Sequence, residues 1–164
     1  MEEAIVSAVT HSDDEVVFSL SGVPDVPGSA AAIFDAIAAE HANVDTILQN
    51  VARGAAELSF SVPEDDVPST RKALARAQEV IGPIQVEEIA DLAKVSVVGA
   101  GMRSHPGVAA RMFQTLANEG VNIRMISTSP IKISCMVARN EIERAVRAVH
   151  AAFELERAPE KEGR

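Results

Sequence analysis

The chain has no tryptophan and no tyrosine, and its only aromatic residues are five phenylalanines among 164 residues. Val, Ile, Leu and Ala must therefore fill its core, and a hydrophobic fraction of 47% is enough for a sizeable one. Without Tyr or Trp, the chain also lacks the aromatic sheet surface on which many RNA-binding modules stack bases. Its single cysteine, Cys135, lies inside the apolar run IKISCMV, so no internal disulfide can form and the thiol reads as core packing. No apolar run approaches the roughly 20 residues that span a bilayer. The N-terminus, MEEAIVSAV, is acidic where a secretory signal is basic, and it has no long apolar stretch. Basic residues are in the minority, 15 against 24 acidic ones, giving a net charge of −9. That balance disfavours a phosphate-backbone partner and an anionic membrane surface. The composition predicts a cytoplasmic protein with neither a nucleic-acid nor a membrane partner.

Catalytic constellations are missing as well. His11, His41, His105 and His150 are scattered, with no ligand spacing and no cysteine pair, so no metal site is expected. His41 and His150 fall toward helix ends, where a solvated or capping histidine is the common outcome. Gly99-Ala100-Gly101 resembles the start of a dinucleotide loop, but Ser104 stands where the third glycine belongs and Gly107 comes too late. No G-x-x-x-x-G-K-[ST] loop occurs. The expectation is a chain without catalysis or cofactor of its own.

What the chain does contain is a repeat. Residues 27–43, PGSAAAIFDAIAAEHAN, align without gaps on residues 106–122, PGVAARMFQTLANEGVN, with eight of seventeen positions identical. Pro27/Pro106, Gly28/Gly107, Phe34/Phe113 and Asn43/Asn122 owe nothing to alanine richness. Each copy then reads alike. Val16, Phe18 and Leu20 alternate as in a half-buried strand, as do Val95 and Val97. A Pro-Gly loop follows, with Pro27 or Pro106 suited to the first helical position. The helices present Ala30, Ile33, Phe34, Ile37 and Ala38, or Ala109, Met112, Phe113, Leu116 and Ala117, on one face. Strands are expected from Asn43 to about Val51 and from Asn122 to Thr128, each followed by a second strand through Leu58–Val62 or Ile131–Val137. Second helices carry Val67, Leu74, Ala77 and Ile81, or Ile142, Val146, Val149 and Phe153.

This β-α-β-β-α order is the opening of a ferredoxin-like unit that needs one more strand. The first copy supplies it as Ile84–Ile89. The second ends in the charged stretch ELERAPEKEGR, while the segment Ala4–Val9 is strand-like and otherwise unused. The prediction is that Ala4–Val9 crosses over to complete the second unit, leaving the first inserted within it. The fold class is α+β, with one module over residues 14–91, a second over 1–13 plus 92–156, and a flexible tail at 157–164.

One feature has a chemical use. Both first helices begin at a Pro-Gly turn, Asp25-Val26-Pro27-Gly28 and Ser104-His105-Pro106-Gly107. A helix N-terminus offers backbone N–H groups and a positive dipole end that suit a carboxylate. Glycine lets a ligand come close to that backbone. Asp25, just before the first turn, can accept from an α-ammonium or hydroxyl group. Carboxylate capture beside an acidic acceptor is what an amino-acid site requires, although Asp-x-Pro-Gly is also a common helix-entry turn.

At these residues the chain resembles the paired ACT domains of bacterial aspartokinase. The resemblance rests on VPDVPGSAAAIFDAIA with NVDTILQNV, then KVSVVGAGMRSHPGVAARMF with VNIRMISTS and IKIS. It covers nearly all of residues 1–153. It implies two βαββαβ ACT modules, the first inserted in the second, and a chain like the β subunit that some bacteria make from an internal start in the aspartokinase gene. It further implies a homodimer, a catalytic aspartokinase chain as partner, and feedback control by threonine or lysine at the start of lysine, threonine and methionine synthesis. The alternative is a free-standing ACT sensor that regulates another metabolic enzyme. By resemblance, threonine lies between two chains, with Asp25, Pro27, Gly28, Ala30 and Gln49 of one facing Asn122 and Ile123 of the other. The pseudo-symmetric pocket uses His105, Pro106, Gly107 and Val108 with Asn43, Val44 and Asp45. Family members commonly read NIELISTSEIRIS where this chain reads NIRMISTSPIKIS. Arg124 thus replaces an acidic residue, and Pro130 replaces a glutamate and removes a backbone donor.

Overall fold

A computed structural model describes residues 5–100 and 106–153. His105 and the tail expected at 157–164 fall outside these residues. The elements run β1 (Ile5–Pro24), α1 (Ser29–Ala39), β2 (Ile47–Ala52), β3 (Ala55–Pro63), α2 (Val67–Ile81), β4 (Gln85–Ala100), α3 (Pro106–Asn118), β5 (Met125–Ser129), β6 (Lys132–Ala138) and α4 (Ile142–Ala152). Short 3-10 turns at Glu64–Asp66 and Arg139–Glu141 lead into α2 and α4. The chain divides into two compact units, Asp14–Asp91 and Met1–Asp13 with Leu92–Arg164.

Six strands serve where eight separate ones were expected. Ala4–Val9 and Val16–Leu20 are parts of one strand, β1, and Ile84–Ile89 and Val95–Val97 are parts of β4. Each long strand therefore contributes to both units. Along β4 the passage from one unit to the next goes through Asp91, a non-glycine residue at φ 56°. In the 14–91 unit the strand order is β2-β3-β1-β4, and in the other it is β1-β4-β6-β5. Both orders are those of a ferredoxin-like unit, and the second is completed by the N-terminal end of β1.

Each unit has its own core. In the 14–91 unit Val16, Phe18, Leu20 and Val23 of β1 meet Leu58, Phe60 and Val62 of β3 and Ile33, Ile37, Leu74 and Ala77 of the helices. In the other unit Val95 and Val97 of β4 meet Ile133, Cys135 and Val137 of β6 and Met112, Leu116, Ala145 and Val149 of the helices. The expected helix faces are narrower than the periodicity suggested. Ile33 and Ile37 are buried, Ala30 and Phe34 are half-buried, and Ala38 is exposed; Ala117 is exposed likewise in α3. Burial raises the Cys135 thiol pKa to about 12, which keeps it protonated and unreactive at neutral pH.

The strand starts also move. Asn43 donates its backbone N–H to Asp66 Oδ2 at 2.8 Å and its side-chain amide to the same oxygen at 3.2 Å, so β2 begins only at Ile47. Residue Arg124 makes one bond, N–H to the Met136 carbonyl at 2.7 Å, before β5 begins at Met125. The two-residue turn Arg53-Gly54, both at positive φ, closes the β2–β3 hairpin with Ala52 opposite Ala55. Glu40, just past α1, accepts from Lys72 at 3.0 Å and Arg76 at 2.8 Å on α2. Those hydrogen bonds hold its carboxyl below the usual range. The link therefore contributes above the ordinary carboxylate pKa and is lost as pH falls through the lowered one.

Candidate functional site

The first candidate site forms where β1 gives way to α1. Asp25, Val26, Pro27 and Gly28 are all exposed. Gly28 sits at φ 94° as the N-cap residue, a left-handed conformation that explains glycine here. The expectation that Pro27 is the first helical residue is corrected. The helix begins at Ser29, and Pro27 belongs to the turn before it, because the left-handed Gly28 intervenes. No side chain caps α1. Ser29 N–H reaches back to the Val26 carbonyl at 3.3 Å, and the Gly28 carbonyl accepts from Ala32 at 2.9 Å. The first-turn amides of any helix lack intrahelical acceptors, and Asp25 precedes them by four residues in the chain.

Ala30 is half-buried in that first turn. Gln49 lies on β2, opposite Leu58 of β3, and is exposed like every residue of its strand. Asp25–Ala30 and Gln49 are thus two separate stretches of the 14–91 unit. Of the residues assigned to the second chain's contribution, Asn122 is exposed after α3, while Ile123 packs half-buried on the core of its unit.

The second candidate site follows the same plan. Pro106 is the first residue of α3, as expected, with Gly107 exposed and Val108 9% exposed in the core. The companion segment is committed to its own unit. Asn43 is tied to Asp66, Val44 packs half-buried on the core, and Asp45 donates its N–H to the Ser61 carbonyl at 3.1 Å. Both departures, Arg124 and Pro130, are exposed at the two ends of β5.

Sequence reasoning passed over Ser29. It is 6% exposed at the head of the buried stripe Ser29, Ile33, Ile37, and its hydroxyl has no hydrogen-bond partner. Such a group costs about 1–3 kcal/mol. The repeat alignment carried the signal, since Ser29 faces Val108, a polar residue against an apolar one. Among the described residues no group of three or more His, Cys, Asp and Glu could hold a metal ion. None of their helices is long and apolar enough to cross a membrane.

Comparison with known proteins adds to this geometry. Residues 16–82 and 95–153 each match the ACT domain family. Over 164 residues the chain is 44% identical to the aspartokinase of Pseudomonas aeruginosa, covering 99% of this chain and 40% of that protein. The aspartokinase of Mycolicibacterium smegmatis is 42% identical over 158 residues, covering 94% of this chain and 38% of that one. The chain thus spans about two fifths of the length of these curated relatives. Among solved structures, the ligand-free regulatory subunit of aspartate kinase from Thermus thermophilus has a TM-score of 0.82 at 40% identity, covering 90% of this chain and 98% of that one. A structure of aspartokinase alpha and beta subunits gives 0.81 at 42% identity, covering 92% and 99%.

Proposed function

This chain belongs to the family of ACT-domain regulatory regions of aspartokinase, and from that premise we propose that it binds threonine and passes that binding on to a catalytic aspartokinase chain as feedback inhibition. The observation that carries the reading is the β1–α1 junction. An uncapped helix start follows Asp25 there through a glycine in left-handed conformation, and helix-start amides with a nearby acidic residue suit the carboxylate and ammonium of one amino acid. In this reading the chain performs no phosphoryl transfer itself and acts in the cytoplasm.

The reading includes a homodimer in which two chains complete each pocket. Its support is the outer strand β2, whose six residues are all exposed and include Ile47, Leu48 and Val51, each at least half exposed. An open edge of this kind invites pairing with another chain. Sedimentation at equilibrium is expected to give a dimer at micromolar concentration, with threonine tightening it. A monomer that ignores both concentration and threonine would remove the shared pocket.

Lysine is expected to bind more weakly than threonine. A lysine ammonium needs an anionic partner when it is desolvated, and Arg124 places a like charge where the family resemblance puts an acid. Unit charges about 4 Å apart interact by about 4 kcal/mol at an effective dielectric near 20. A third of that is already a tenfold loss. Calorimetry with each amino acid tests this and the proposed site together. Lysine affinity equal to that for threonine would mean that Arg124 turns away from the pocket.

A further inference from the structure

The unit formed by Met1–Asp13 and Leu92–Arg164 has a groove of about 530 Å³ along one flank of α4, and no residue of the α3 start lines it. Its α4 wall is the stripe Ile142, Glu143, Val146, Arg147 and His150, and its other wall is His11 and Asp13 of β1. Val9 packs on the core of this unit, and His11 and Asp13 continue the same alternating row of β1. The row turns polar where α4 runs beside it, so the side chains leave an opening rather than a packed seam. His11 Nε2 lies 3.6 Å from Asp13 Oδ1.

The second helix of the other unit differs at one matching position. Arg71 holds in α2 the position that Val146 holds in α4, counted from each helix start. Arg71 reaches Glu88 on β4 with two hydrogen bonds of 2.6 and 2.7 Å, bridging helix and strand. Valine cannot make that bridge. Two charges also line the groove. Glu143 and Arg147 stand one turn apart, a spacing that normally pairs. Neither takes part in an ion pair among the described residues, whereas Arg144 beside them pairs with Glu141 at 3.1 Å.

We propose that this groove binds an aliphatic α-amino acid, with its carboxylate on Arg147, its ammonium on Glu143, and its side chain over Ile142 and Val146. A carboxylate and a guanidinium one helical turn apart, beside an apolar strip of Ile142 and Val146, match the three parts of such a ligand. The volume accommodates it, and the flanking His11–Asp13 pair and His150 give the site a polar rim. The assignment does not depend on threonine binding at the β1–α1 junction.

The test is a titration of the full chain with L-leucine, followed by amide NMR. Shifts are expected along His11–Asp13 and through α4. Arg147→Gln and Glu143→Gln are each expected to weaken leucine binding at least tenfold. Both residues are exposed, so both variants keep the fold. Val146→Arg, which fills the apolar strip with a long charged side chain, is expected to abolish leucine binding while leaving the melting temperature close to that of the unaltered chain. Leucine shifts confined to the starts of α1 and α3, or absent from α4, would overturn the proposal. So would acetate binding as tightly as leucine with no effect of Glu143→Gln, which would make the groove a site for anions alone. Threonine binding serves as the separate control and is expected to be unchanged in Arg147→Gln.

Discussion

Replacing Phe60 with alanine is expected to destabilise the 14–91 unit by about 3–5 kcal/mol, the range for a fully buried phenylalanine. Phe60 is 0% exposed on β3, paired in register with Phe18 of β1 and Ile47 of β2. Its ring stacks on Phe18 at a centroid distance of 5.6 Å and meets Phe34 of α1 edge-on at the same distance. Three of the chain's five phenylalanines thus converge on one point, joining two strands to the helix that carries the first candidate site. Aromatic pairs of this kind add about 0.5–1.5 kcal/mol beyond the area they bury. The rest of the core is Val, Ile, Leu and Ala, with little side-chain length to move into the space left behind. Urea unfolding measures the loss directly. A loss under about 1 kcal/mol would mean that the core closes over the cavity and that the cluster is not the anchor of α1.

Asp25→Ala is expected to leave the unliganded chain as stable as before and to remove most of its stabilisation by threonine. At about 100 times Kd, a ligand confined to the folded state contributes about 2.7 kcal/mol. For a chain of this size that corresponds to a rise of about 5–10 °C in the melting temperature. Losing one charge-assisted hydrogen bond from the ammonium, worth about 1.5–3 kcal/mol, weakens binding by about tenfold to a hundredfold. Asp25 is exposed in the turn before α1, so the unliganded melting temperature is the internal control. An unchanged threonine shift in the variant would move the site away from this junction.

Much of this organisation was legible because the duplication displays each element twice. Pro27/Pro106 and Phe34/Phe113 located the helices, and the unused segment Ala4–Val9 located the crossover. What stayed hidden was decided by backbone partners rather than by side-chain pattern. The polar stretch Thr10–Asp14 reads as a break, yet β1 runs through it, next to β4 in the sheet. Asn43 reads as the start of a strand, but its N–H is taken by Asp66 on the turn before α2, a contact across 23 residues that no local pattern encodes. Pro27 illustrates a different limit. Proline followed by glycine fits either a first helical turn or the turn before it, and only the positive φ of Gly28 decides between them. The groove on α4 escaped because its two charged residues look like an ordinary surface pair at i, i+4. Their failure to pair is visible only in three dimensions.

The central claim is that this chain confers threonine control on a catalytic aspartokinase chain. The measurement that tests it most directly is the rate of ATP-dependent aspartate phosphorylation by that catalytic chain, with and without this one, as threonine is added. Threonine is expected to inhibit when the unaltered chain is present and to inhibit at least tenfold less effectively when Asp25→Ala replaces it, while this chain alone shows no turnover. Phosphorylation of aspartate by this chain alone, or inhibition by threonine that is identical with and without it, would contradict the account.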